Sequence, residues 1–126
     1  GVAGLIGSIA RAAALTQGAE VVGIDLPVPV SNIAEHCPDV SVVDVALDVG
    51  AADDLEALCN AFQGVDTVIH LAGTGNITAD MPTVMHANCM GTHNVLQAAA
   101  RAGSVRKVIF ASTNHRFLGL RSENGR

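Results

Sequence analysis

The chain has 126 residues, of which 49% are hydrophobic and 15% charged, and its formal net charge is −5. That is the length of one domain, too apolar and too weakly charged for a disordered chain. Seven basic residues against twelve acidic ones exclude the basic stripe of a nucleic-acid-binding domain, and no apolar run reaches the ~18–20 residues that span a bilayer.

Helical and strand patterns alternate from start to end. Residues 4–16 (GLIGSIARAAALT) are rich in Ala and Leu and predict a buried helix, with Gly18 beyond its end. Residues 20–25 (EVVGID) are short and β-branched and predict a buried strand. Residues 26–39 hold three prolines and predict an irregular crossover. Residues 40–47 (VSVVDVAL) predict a second strand. Asp53 and Asp54 then open a helix whose apolar stripe is Leu55, Leu58 and Phe62, and Gly64 ends it. Residues 65–71 (VDTVIHL) predict a third strand. A long helix follows over 80–102, with Pro82 in its first turn. Its stripe reads Met81, Val84, Met85, Asn88, Thr92, Val95, Leu96 and Ala99, and Gly103 closes it. The three methionines Met81, Met85 and Met90 read as core or interface filler. Residues 106–111 (RKVIFA) predict a fourth strand. Buried strands alternating with helices define a doubly wound α/β fold, a parallel sheet with helices on both faces.

The three cysteines, Cys37, Cys59 and Cys89, are widely spaced and form no C-x-x-C pair. The pattern fits neither a disulfide framework nor a zinc site, and reads as reduced thiols in a cytoplasmic protein with no metal centre.

Gly1, Gly4 and Gly7 form G-x-x-G-x-x-G at the mouth of the first helix. With Leu5 and Ile6 they compose a turn whose backbone N–H groups and helix dipole suit a pyrophosphate. Asp25 ends the next strand, eighteen residues after Gly7, where a carboxylate accepts hydrogen bonds from an adenosine ribose. A carboxylate there repels a 2′-phosphate, which favours NAD over NADP. A plain tight turn and a solvated strand end are the bland alternatives for these two features. A strand should precede the glycine turn, and in a 3-2-1-4-5 order it is the central one. Its neighbours are the 20–25 and 65–71 strands, whose facing backbone groups would otherwise lack ladder partners. These 126 residues are therefore expected to be part of a longer protein, poorly stable in isolation.

Six segments carry a family resemblance: GVAGLIGS at 1–8, VVGIDL at 21–26, LDV at 47–49, VIHLAG at 68–73, NCMGTHNVLQAAARAG at 88–103 and KVIFAST at 107–113. Together they resemble the N-terminal part of an extended short-chain dehydrogenase/reductase of the NAD-dependent epimerase/dehydratase family. The resemblance implies a Rossmann-like NAD-binding domain over 1–126, lacking its first, central strand and a substrate-binding half. It implies that Asp48 and Val49 meet the adenine ring, though Asp48 could instead cap the following helix. Leu71, Ala72 and Gly73 would run along the cofactor's phosphates and ribose, with His70 less suited to act as a base or metal ligand. Asn88, in the long helix, would hold backbone and water near the active site, or merely tie two elements together.

Ser112, Thr113, Asn114 and His115 follow the fourth strand, where the family places a Ser or Thr against the reacting sugar oxygen. Their string A-S-T-N-H is similar to the A-S-S-N-H of the uronate dehydrogenase branch. That likeness puts the catalytic hydroxyl on Thr113, with Ser112 beside it, and turns Asn114 and His115 to the substrate. The family's Tyr-x-x-x-Lys pair is missing, since the chain has no Tyr and its only Lys is Lys107. The stretch after N-H also looks one residue longer than usual. The implied whole protein is a sugar or sugar-acid oxidoreductase, in its specific form oxidising a hexuronate to a lactone. The alternatives are a nucleotide-sugar epimerase or dehydratase, a non-catalytic NAD-binding module, or an incomplete gene product without function. A homodimer through the 80–102 helix is a further implication; no nucleic-acid or membrane partner is expected.

Overall fold

Two pairs of parallel strands organise the chain in a computed structural model that describes residues 1–27 and 43–113. The crossover at 28–42 with Cys37, the first residues of the expected 40–47 strand, and the tail with Asn114 and His115 lie outside the described residues. Helix α1 spans Leu5–Thr16, strand β1 Ile24–Asp25, strand β2 Val45–Ala46 and helix α2 Leu55–Ala61. Strand β3 spans Thr67–His70. The long helix is continuous but changes pitch: α3 covers Met81–Val84, a π-helical segment Met85–Met90, and α4 Gly91–Ala102. Strand β4, Lys107–Phe110, ends the described elements.

β1 pairs with β2 in the register Ile24–Val45 and Asp25–Ala46. β3 pairs with β4 from Thr67–Lys107 through His70–Phe110. Both ladders are parallel, and the α3–α4 helix is the crossover that a parallel β3–β4 pair requires. The four expected strands are present, in an α/β architecture, but β1 and β2 are shorter than their apolar runs. A ladder extends only where partners face each other, and here they face each other for two residues on each strand.

Residues 1–3 run between the two pairs. The Gly1 nitrogen and the Val2 N–H both donate to the Ile24 carbonyl, at 2.7 and 3.2 Å. A Cβ added to Gly1 would lie 2.5 Å from the backbone of Leu71 and Ala72. The turn thus touches the carboxyl end of β1 on one side and the segment after β3 on the other.

The core is Leu47, Leu58, Phe62, Val68, Val95, Ala98 and Ala99. Leu58 and Phe62 are the buried stripe of α2 that the sequence predicts, and they meet the inner face of α4. Ser104 Oγ donates to the Phe62 carbonyl at 3.1 Å and ties the α2 end to the turn after α4. Gly103 closes α4 in the left-handed conformation, with φ +70°, as a C-terminal glycine should. Asp80 caps α3, accepting from the Thr83 N–H at 2.9 Å, with Pro82 in the first turn.

Two expectations about packing require correction. α1 is not buried along its length: Leu5, Ile6 and Ile9 are exposed, and only Gly7 and Ser8 are buried. The helix is held through its small residues and through Arg11, whose Nη1 donates to Asp44 Oδ2 at 2.7 Å. That Asp44 oxygen also accepts from the Gly23 N–H. The Arg11 guanidinium beside it, with this backbone donor, holds the Asp44 carboxyl below the usual carboxylate range. The second correction concerns the long helix. Met81, Met85, Met90 and Leu96 are exposed, whereas the inner face of α4 is Gly91, Asn94, Val95, Ala98 and Ala99. Small residues let α4 approach the β2–α2 loop closely, so that a Cβ on Gly91 would stand 3.0 Å from Val49 Cγ2.

Candidate functional site

A cleft of about 760 Å³ opens across the carboxyl ends of β1, β2 and β3. In an open α/β sheet, a ligand crevice forms at this end of the strands. Three loops build it: the glycine turn, the β2–α2 loop and the segment after β3. The π-helical segment closes one flank.

The glycine turn forms the floor. Gly7 is buried against the backbone of Gly1 and Val2, in space that a Cβ would occupy. Gly4 is the N-cap of α1, and no side chain caps the helix. The first-turn N–H groups of an uncapped helix are open to an anionic ligand.

Asp25 stands at the end of β1. Its Oδ2 accepts from the Ala3 N–H at 2.7 Å, and its Oδ1 from the Leu26 N–H at 2.8 Å. The carboxylate is thus bolted to the glycine turn. Each oxygen keeps a second lone pair, a fit for two vicinal hydroxyls.

Asp48 and Val49 begin the β2–α2 loop. Asp48 Oδ1 accepts from the Gly50 N–H at 2.9 Å, and Oδ2 stands 2.9 Å from His86 Nε2. The His86 hydrogen bond, followed by these loop N–H groups, holds the Asp48 carboxyl below its ordinary range. Asp48 does not cap α2. The N-cap is Asp54, whose Oδ2 instead accepts from the Asp48 N–H at 2.8 Å. The alternative in which Asp48 serves α2 falls, and its carboxylate lines the cleft.

Leu71, Ala72, Gly73 and Thr74 form the opposite wall. Asn88 holds them from behind. Its Oδ1 accepts from the Thr74 N–H at 2.7 Å, and its Nδ2 donates to the Thr74 carbonyl at 3.0 Å. A Cβ on Gly73 would meet Asn88 Oδ1 at 2.8 Å.

His70 lies beneath this wall, buried and stacked on Phe110 with ring centroids 5.7 Å apart. Its Nε2 is 3.1 Å from Thr92 Oγ1, and the Thr92 hydroxyl donates to the Asn88 carbonyl at 2.6 Å. The one hydroxyl proton of Thr92 is spent on Asn88, so His70 Nε2 carries the proton of its own bond. Burial lowers the His70 pKa. A neutral, packed imidazole of this kind is a structural group, not a base facing the cleft.

Of the residues singled out by sequence, Gly1, Gly4, Asp25, Asp48, Val49, Leu71, Ala72 and Gly73 come together in the cleft lining. Gly7 and Asn88 support it from behind. Leu5 and Ile6, in the first turn of α1, are exposed and are not among the residues that line the cleft. Ser112 and Thr113 follow β4, exposed and outside the cleft lining. Asn114 and His115 lie outside the described residues.

Three residues escaped the sequence reading. Asn94 is buried in α4, and its Nδ2 donates to the Val49 carbonyl at 2.8 Å. His86 reaches Asp48 from the π-helical segment. Thr74 is the backbone that Asn88 grips. An amide three residues after the buried Gly91 was the one available signal for Asn94. Nothing in the sequence marks a contact between His86 and Asp48.

A glycine-rich turn at a helix start, a carboxylate at the next strand end and a cleft across three strand ends define a nucleotide-binding α/β domain. The particular family follows from comparison with known proteins. Residues 1–120 match the NAD dependent epimerase/dehydratase family, and the chain belongs to it. It is 33% identical over 100 residues to uronate dehydrogenase of Pseudomonas syringae pv. tomato, covering 75% of this chain and 33% of that one. It is 45% identical over 71 residues to L-arabinose 1-dehydrogenase (NAD(P)(+)) of Haloferax volcanii, covering 56% of this chain and 26% of that one. Among solved structures, a mutated uronate dehydrogenase superposes with TM-score 0.68 at 31% identity, over 91% of this chain and 38% of that one. A mutant uronate dehydrogenase of Agrobacterium tumefaciens complexed with NAD gives TM-score 0.65 at 27% identity, over 91% of this chain and 39% of that one. The matches span about a quarter to a third of the length of these curated relatives.

Proposed function

We propose that this chain is the cofactor-binding part of an NAD-dependent sugar oxidoreductase that oxidises a hexuronate at its anomeric carbon to the lactone. The observation that carries the reading is the cleft itself. Its floor admits a pyrophosphate on bare backbone, and Asp25 presents a fixed carboxylate where a ribose diol would rest. The likeness to uronate dehydrogenases over 91% of the chain supplies the substrate class.

The residues fit the dinucleotide. The first-turn N–H groups of α1 would hold its phosphates, Asp25 its adenosine ribose, and Asp48 with Val49 its adenine. Leu71, Ala72 and Gly73, braced by Asn88, would line the path to its nicotinamide end. When bound, the nicotinamide would supply the hydride acceptor for the oxidation at the anomeric carbon. This chain's part is to bind and orient. The fixed carboxylate of Asp25 discriminates against a 2′-phosphate, and Thr113 with Ser112 orients the reacting hydroxyl at the end of β4. Asn114 and His115 complete the contacts to the sugar acid. No residue of this chain is assigned as the base, for it contains no tyrosine.

The proposal extends to a cytoplasmic homodimer that pairs the long helix with its copy, for Met81, Met85, Met90 and Leu96 are each exposed along it. The test is NADH formation by the complete gene product on galacturonate and glucuronate. Activity on either supports the hexuronate reading. Silence on both with NAD still bound overturns the substrate and leaves the cofactor site standing.

A further inference from the structure

His86 and Asp48 are 38 positions apart in sequence, yet their side chains meet at 2.9 Å on the wall of the cleft. The contact is built from both sides. On one side, the π-helical segment Met85–Met90 carries His86, and such segments gather at functional sites because they re-aim side chains out of α-helical phase. On the other side, the β2–α2 loop has a glycine beneath the ring. A Cβ on Gly50 would stand 2.6 Å from His86 Nε2 and from the His86 carbonyl, so only glycine admits the imidazole there.

The rest of Asp48 is held as firmly. Its Oδ1 accepts from the Gly50 N–H, its backbone N–H donates to Asp54, and the adjoining Val49 carbonyl accepts from Asn94. An ionised carboxylate only accepts, so His86 Nε2 carries the proton of this bond. Each carboxylate oxygen then has one donor and one lone pair left. Asp48 and His86 are 37% and 49% exposed, so the pair is open to a ligand.

We propose that His86 is a positioning residue for base recognition: it fixes the Asp48 carboxylate so that its remaining lone pairs accept from the exocyclic amine of a bound purine. The inference rests on the cofactor reading above and extends it to a residue that does not itself touch the reacting atoms. A purine that carries an oxygen in place of that amine offers no donor at this position, and meets the carboxylate acceptor to acceptor.

The experiment compares two dinucleotides on the complete gene product by titration calorimetry: NAD and nicotinamide hypoxanthine dinucleotide. His86→Ala is expected to weaken NAD about tenfold, the worth of one charge-assisted hydrogen bond, and the hypoxanthine dinucleotide less than about twofold. His86→Gln, which keeps a donor at the reach of Nε2, should restore NAD binding to within about twofold of the natural protein. In an Asp48→Asn background, His86→Ala should add no further loss, the mark of a residue acting through another. Equal weakening of both dinucleotides, or full additivity with Asp48→Asn, overturns the proposal and leaves the cofactor reading intact. Failure of the natural protein to bind either dinucleotide overturns both.

Discussion

Asn88 and Thr74 are joined by two opposed hydrogen bonds, the Thr74 N–H to Oδ1 at 2.7 Å and Nδ2 to the Thr74 carbonyl at 3.0 Å. One side chain thereby replaces a strand as the partner of a loop peptide, and the loop is one wall of the cleft. Asn88→Ala leaves both backbone groups without that partner, at a cost of about 1–3 kcal/mol in stability. It should also loosen the Gly73–Thr74 wall and lower kcat/KM by about tenfold or more. Asn88→Asp keeps the acceptor and loses the donor, so its loss should be intermediate. Thermal melts and steady-state kinetics on the two variants check the order.

Gly7 packs where any Cβ would run into the Gly1 backbone. Gly7→Ala must push the turn away from α1, at about 1–3 kcal/mol for an overpacked site. Dinucleotide affinity should fall more steeply than stability, because the displaced backbone is the phosphate floor. Calorimetric titration of Gly7→Ala against Ala10→Gly, a change in α1 outside the turn, separates the two effects.

The buried His70 gives the fold a pH dependence of known sign. Its pKa is lowered below the ordinary 6.5 by burial, so the unfolded chain binds a proton more readily than the folded one. Stability from this group is fully present above about pH 6.5 and is lost as pH falls through the folded value. Denaturant melts of the natural protein and His70→Gln should converge as the solution is acidified. A parallel loss in both would assign the pH dependence to other groups.

The exposed Met81, Met85 and Leu96 on the long helix are expected to support the proposed self-association. Met81→Glu with Met85→Glu should convert a dimer to a monomer in sedimentation, without altering the cleft walls formed by Asp25, Leu71 and Gly73. A natural protein that sediments as a monomer refutes the pairing.

The elements were legible in the sequence because hydrophobic period is a strong signal. Leu58 and Phe62 of α2 and Val68 of β3 are buried as their patterns require. The inner face of α4 was less legible. Hydropathy finds Val95 and Ala99, which pack, but it also draws in Met81, Met85 and Leu96, which are exposed, and passes over Gly91, Asn94 and Ala98 on the same inner face. Close approach selects small residues, and a hydropathy stripe does not register them. Asp25 and the glycine turn were legible because their spacing is local. The His86–Asp48 and Asn94–Val49 contacts were not, because each joins positions about 40 residues apart through a tertiary arrangement that has no local pattern.

Asp25 and the glycine turn are proposed to form an NAD site. Calorimetric titration of NAD and NADP into the complete gene product and its Asp25→Ala variant tests it most directly. Saturable NAD binding, weaker NADP binding, and a loss of about tenfold or more in NAD affinity on removing the carboxylate are expected, with the preference for NAD over NADP reduced. No NAD binding by the natural protein, or identical affinity and preference in Asp25→Ala, would contradict it.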